Sequence, residues 1–402
     1  MPVDTTAAVE RLMQFLAVPG ITGEEAGIAK EIQRALKAAG VPAKAVAFDD
    51  AHARIPLPTQ TGNLIVKLPG TLKGAPRLLF MTHMDTVPLC AGAKPKLVGK
   101  QIVNDASGAA LGGDNRTGCA VLVTLAAELL ARGLPHPPLT LLFTVREESG
   151  LFGARHLDPA ALAGPDGGPV MGFNFDGRAA ADVIVGAVGA DRWEVEIHGK
   201  AAHAGVAPEK GVSATMILAL ALAEVRAGGW FGKVVKDGSE GTSNVGPVGG
   251  ADGRCAGDAT NVVTDYVHVK GESRSHDPKF VRQITTAYKD AFANAAAAVV
   301  DHEGKPGKVK FTTRADYHPF RIKDNTPVVA RASAAVSKLG MTPNLRTTNG
   351  GLDANWMVKH GIPTVTFGAG QNDIHTVKEW VDLPEFEKAL ELAVELATGT
   401  AK

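Results

Sequence analysis

The sequence predicts an α/β fold, a mostly parallel, mixed sheet sandwiched by helices, with a smaller α+β domain inserted into it. Three observations carry this expectation. First, apolar runs of strand length alternate with segments of helical spacing through the first part of the chain, the pattern of a sheet covered on both faces. Second, the texture changes near residue 190, where strands begin to alternate buried and exposed positions and helices become Ala-rich. Third, 402 residues exceed what one ordinary core accommodates, so two domains are expected.

In order, residues 5–16 carry Val9, Leu12, Met13 and Leu16 at helical spacing. The turn Gly20-Ile21-Thr22-Gly23 leads through Glu24 and Glu25 into a helix marked by Ile28, Ile32 and Leu36, which Gly40 ends. Strands are expected at 63–68, 78–81, 139–145 and 170–175, and a buried helix at 117–130 behind the loop Leu111-Gly112-Gly113-Asp114-Asn115. Beyond them, 192–198 alternates Trp193, Val195 and Ile197, 214–225 and 279–300 read as helices, and 260–270 and 308–317 read as strands. The chain returns to the first texture with a helix at 327–339, a short buried strand at 363–367 and a closing helix at 384–396. The expected division is therefore 1–187 and 321–402 for the larger domain, with 188–320 inserted. Its joints fall at Gly186–Gly189 and Pro319–Asn325.

Composition excludes several classes of function. With 42 basic against 42 acidic residues there is no electrostatic case for a nucleic-acid or anionic-membrane partner. Apolar runs such as 219–223 fall short of the ~20 residues of a membrane span. The amino terminus, with Asp4, Glu10 and Arg11, lacks the layout of a signal peptide. Cys90, Cys119 and Cys255 are scattered, which argues against a disulfide framework or a thiolate zinc knot. A cytoplasmic protein is expected.

The chemistry sits just past the strand ends. His83 and Asp85 follow one strand, Glu147 and Glu148 another, and Asp176 a third; Asp114 opens the buried helix, and His375 lies in Asn372-Asp373-Ile374-His375-Thr376. In open α/β sheets ligands gather at the carboxyl ends of strands. His83, Asp114, Glu148, Asp176 and His375 form a set of two imidazoles and three carboxylates, suited to zinc, manganese or cobalt. Five ligands exceed what one catalytic zinc takes, but with Asp114 bridging they serve two ions. Glu147 is then left as general base, and Asp85 as the residue that holds the His83 ring.

The runs Leu-Leu-Phe-Met-Thr-His-Met-Asp-Thr-Val-Pro, Leu-Gly-Gly-Asp-Asn-Arg-Thr-Gly, Phe-Thr-Val-Arg-Glu-Glu-Ser-Gly and Phe-Asp-Gly resemble the zinc exopeptidase family of peptidase T, aminoacylase-1 and the glutamate carboxypeptidases. Residues 350–355 and 372–376, followed by Glu379, are most similar to its peptidase T-like branch. Asn115 departs from peptidase T proper, which carries a second aspartate there.

The resemblance implies one zinc on His83, Asp114 and Asp176 and another on Asp114, Glu148 and His375, with Glu147 as base and Asp85 behind His83. It implies that the inserted domain is a lid, in which His203 of Gly199-Lys200-Ala201-Ala202-His203-Ala204-Gly205 stabilises the oxyanion, within or across the subunits of a homodimer. Asn261 and Arg274 match positions that hold the substrate's carboxylate. Gly350 and Gly351 let backbone approach the substrate.

The expected activity is hydrolysis of small peptides, from the amino-terminal side and tripeptidase-like. An N-acyl amino acid deacylase or carboxypeptidase of the same family stays open, as does a non-catalytic metal- or peptide-binding protein.

Overall fold

A computed structural model describes residues 3–250, 253–257 and 259–399. The chain divides into two compact units, one of Met1–Gly186, Arg321–Thr348 and Leu352–Lys402, the other of Ala187–Phe320 and Asn349–Gly351.

The first unit is built on a nine-stranded mixed sheet. At its centre Leu139–Thr144, Leu78–His83, Met171–Phe175 and Thr364–Phe367 lie side by side and parallel. Leu64–Leu68 joins one side antiparallel, and Asp182–Ala187 the other. Every residue of Leu78–His83 and of Leu139–Thr144 is buried, because helices cover both faces and no position is left for water. Phe80, Phe173, Phe175 and Phe367 gather with ring centroids 5.3–6.5 Å apart. Contacts of this kind contribute ~0.5–1.5 kcal/mol per pair beyond area burial. A small sheet, Gln371–Asn372, Trp380–Asp382, Gln101–Asn104 and Pro95–Val98 in that order, completes the unit.

The helix Gly113–Arg132 is buried over most of its length, as its all-round apolar sequence implies. It differs from the expected 117–130 at its start. Asp114 and Asn115 lie within the hydrogen-bonded span but have non-helical backbone angles, so the first turn is opened out. Gly118 lets this helix touch the sheet, since a Cβ there would stand 2.1 Å from Thr82 Oγ1 and 2.5 Å from the Phe175 carbonyl oxygen.

The second unit is a five-stranded antiparallel sheet in the order Gly232–Lys236, Ser239–Gly249, Tyr266–Ser275, Gly189–His198, Lys308–Tyr317. The helices Ala214–Ala227 and Pro278–Ala298 pack on it around Trp193, Ile217, Tyr288 and Phe292. The alternation of Trp193, Val195 and Ile197 places these residues inside. The hairpin of the first two strands was not among the expected elements, although Asp237-Gly238 joins them with φ of +50° and +77°. Asp-Gly with both residues at positive φ is the two-residue turn whose twist matches a hairpin.

Candidate metal centre

Three neighbouring parallel strands bring their ends together. His83 is the last residue of its strand and pairs in register with Thr144, three residues before Glu147. Asp176 directly follows Phe175, its backbone N–H donating to the Phe367 carbonyl at 2.8 Å. Asp114 arrives from the opened first turn of the buried helix, and His375 from a loop with Asp373 and His375 at φ of +50° and +61°.

Asp114 stands between two histidines. Its Oδ1 is 3.0 Å from His83 Nε2 and its Oδ2 is 3.2 Å from His375 Nε2. His83 Nε2 is also 3.9 Å from Asp176 Oδ1, and His375 Nε2 is 3.0 Å from Glu148. Potential ligand atoms of His83, Asp114 and Glu148 fall within 4.8 Å of one another, and so do those of His83, Glu147 and Asp176. Glu147 thus lies in the same cluster as the five expected ligands. Asp85 sits behind it, with His83 Nδ1 3.1 Å from the Asp85 carbonyl and 3.3 Å from its Oδ1.

Charge in this cluster is out of balance. Burial, then the nearby Asp114 charge, pushes the Asp176 carboxyl up to about 8 and Glu148 up to about 7. Burial also lifts Glu147 well above the usual carboxyl range. Hydrogen bonds to Asp114 and Glu148 raise His375 to about 10. Burial disfavours a charged His83, but Asp114 and Asp85 outweigh it and hold its pKa well above the usual. Burial opposes the Asp114 charge too, yet His375 and His83 keep its pKa well below normal. A pocket that presses Glu147, Glu148 and Asp176 toward neutrality and both histidines toward the cation is short of positive charge, which divalent ions supply.

Several supporting contacts escaped the sequence reading, although Glu379, Asn115 and Asp85, which make them, were named in it. Glu379 accepts from the backbone N–H of Gly112 at 2.7 Å and of Asp114 at 3.0 Å, so it fixes the bridging residue from behind. Asn115 donates to the Phe175 carbonyl at 2.8 Å and accepts from Gly118 N–H and Gln371 Nε2. An ionised aspartate, which only accepts, could not donate to the Phe175 carbonyl, which gives the departure from Asp-Asp a local reason. Asp85 takes the backbone N–H groups of Glu147 and Glu148 at 3.0 and 3.2 Å as well as steering His83. Asp353 is fully buried and bonds Thr144 Oγ1, in keeping with a structural part. Most of these contacts leave no spacing signal, because Glu379, Phe175, Gln371 and Thr144 lie far in sequence from the residues they meet.

The remaining five candidates, His203, Asn261, Arg274, Gly350 and Gly351, lie in the second unit. His203 is exposed and bridges to Val262, and the backbone N–H of Ala204 donates to the Asn261 carbonyl at 2.8 Å. Arg274 is partly buried, with Nε and Nη2 on the two oxygens of Glu272 at 2.9 and 3.0 Å; Glu272 also receives Arg192. Tyr317 packs on Gly351 so closely that a Cβ there would meet its ring at 2.5 Å. The missing side chain at Gly351 thus makes room for Tyr317.

A family model for peptidase family M20/M25/M40 matches residues 79–399. An uncharacterized protein, YqjE of Bacillus subtilis strain 168, is 32% identical over all of both chains. The crystal structure of aminopeptidase PepT from Bacillus cereus ATCC 10987 is 33% identical, with a TM-score of 0.82 over 98% of each chain. That of a tripeptidase from Staphylococcus aureus subsp. aureus mu50 is 28% identical, with a TM-score of 0.86 over 99% of each.

Proposed function

The chain belongs to peptidase family M20/M25/M40 as a peptidase T-like, metal-dependent exopeptidase, and we propose that it removes the amino-terminal residue of short peptides, tripeptides foremost. What supports the finer reading is the likeness to an aminopeptidase and a tripeptidase, each over nearly the whole chain.

The donor set fits two divalent ions. Its carrying observation is Asp114, whose two oxygens face different histidines. His83, Asp114 and Asp176 would hold one ion, and Asp114, Glu148 and His375 the other. Imidazole and carboxylate without thiolate favours zinc, with cobalt or manganese as replacements. Bound there, such ions supply Lewis acidity toward the scissile carbonyl and acidify water.

The protein's own groups do the rest. Glu147 takes a proton from the attacking water at a carboxylate oxygen and delivers it to the leaving amine nitrogen as the C–N bond breaks. Asp85 keeps His83 in one orientation and holds the backbone of Glu147. His203, supported by its resemblance to a family lid motif, polarises the carbonyl oxygen. Arg274 and Asn261 take the substrate carboxylate, Arg274 being already steadied by Glu272. Residues 188–320 serve as lid and dimerisation domain of a cytoplasmic homodimer. Balanced charge and, among the described residues, the lack of any helix long and apolar enough to cross a membrane are consistent with this setting.

Digestion of Ala-Gly-Leu beside its N-acetyl form and N-acetyl amino acids, with the released residue identified, tests the proposal. Release of amino-terminal alanine from the free tripeptide alone is expected. Faster cleavage of the N-acetyl amino acids, or release from the carboxyl end, would establish the deacylase or carboxypeptidase alternative.

A further inference from the structure

We propose that Glu25 is a positioning residue for the general base: its carboxylate fixes the turn from which Glu147 projects. The inference rests on reading Glu147 as that base.

Arg146, the residue before the Glu147-Glu148 pair, has φ of +51°, a conformation that side chains other than glycine rarely adopt. Something must hold it. Glu25 Oε1 accepts from the Arg146 backbone N–H at 3.1 Å, and Asp85 takes the next two, Glu147 N–H at 3.0 Å and Glu148 N–H at 3.2 Å. Three consecutive amides are thus drawn onto two carboxylates, both 0% exposed. The guanidinium of buried Arg116 donates to the backbone carbonyls of Met84, Val18 and Gly20, in the segments that carry Asp85 and Glu25.

Glu25 stands at the start of the helix Ala26–Ala38 but makes no side-chain cap to it. Its carboxylate is engaged instead with Gly23 N–H at 2.7 Å and with Arg146. Residues 20–25 are themselves tied to the site strand, Thr22 N–H donating to the Thr86 carbonyl at 2.9 Å and Thr86 N–H to that of Gly20 at 3.2 Å. Thr22 Oγ1 also bonds Ser149 Oγ at 2.9 Å, on the far side of the catalytic pair. Arg146 runs back over this brace to Thr59 Oγ1 and the Pro58 carbonyl, and passes so near Gly23 that a Cβ there would lie 2.1 Å from its Nη2. Glu25 therefore connects an amino-terminal brace to the peptide that aims Glu147. A misplacement of about 1 Å at a reacting group costs up to roughly 10²-fold in rate.

The test compares Glu25→Ala, Glu25→Asp and Glu25→Gln with wild type and Glu147→Gln, in full-length zinc-loaded protein, by kcat, KM and metal content. Alanine removes the acceptor, aspartate keeps the charge but withdraws its reach, and glutamine keeps an acceptor oxygen at the same length. The expectation is a kcat lowered on the order of 10–100-fold in the alanine and aspartate variants, with KM and metal content unchanged and glutamine within a few-fold of wild type. Wild-type kcat per metal-loaded site in a folded alanine or aspartate variant overturns the inference. So does a loss confined to metal content or KM, the mark of a purely structural part. If Glu147→Gln itself keeps wild-type turnover, the reading of the base fails; if it abolishes turnover while the Glu25 variants do not change, only the present inference fails.

Discussion

Asp301 shows how single residues hold the protein's working segments. Its buried carboxylate receives Lys200 Nζ at 2.8 Å and the backbone N–H groups of Glu303 and Lys305 at 3.0 and 2.9 Å. Lys200 lies three residues before His203, so this pair anchors the segment that carries the proposed oxyanion residue. The lysine, helped by the backbone amides, pulls the Asp301 carboxyl down to about 2. A carboxyl depressed by folding adds stability above its unfolded pKa of about 3.9 and loses it as pH falls toward the folded value. Denaturant unfolding of wild type and Asp301→Asn should therefore differ near neutrality, with the gap narrowing between about pH 4 and pH 2. A gap of constant size across that window would contradict the assignment.

Among elements, the helix Gly113–Arg132 joins fold to site. Its apolar surface made it legible as a buried helix, yet its opened first turn was not, because Glu379 and Gln371, from distant parts of the chain, hold Asp114 and Asn115 in it. The central strands were equally legible, since strands buried on both faces leave continuous apolar runs. The hairpin of Gly232–Lys236 and Ser239–Gly249 was not, because its strands are polar and half-exposed and only the Asp237-Gly238 turn marks it. Gly118→Ala should lower stability by ~1–3 kcal/mol through overpacking against Thr82 and Phe175. It should also weaken metal retention, since it displaces the turn holding Asp114. Equilibrium unfolding together with dialysis against a weak chelator checks both; unchanged values would mean that helix and sheet have room the structure does not show.

At the scale of the whole molecule, residues from 83 to 375 converge on one cluster, and neither end of the first unit suffices alone. The membership of that cluster was legible because histidines and acids just past strand ends are a recognisable pattern. The geometry was not, since spacing gives no sign of which oxygen of Asp114 meets which histidine, or that Glu25 and Asp85 share the amides of one turn. The family is one of metal-dependent exopeptidases, and in this chain the proposed metal site turns on the bridging carboxylate of Asp114. Metal content per chain, measured in wild type, His83→Ala, Asp114→Ala and Glu147→Gln alongside tripeptide turnover, tests it most directly. About two ions are expected in wild type, one lost first in the His83 variant, both lost in the Asp114 variant, and both kept in Glu147→Gln with turnover down on the order of 10²–10⁴-fold. An Asp114 variant that keeps a full complement of metal, or a Glu147→Gln enzyme that turns over normally, would contradict this expectation.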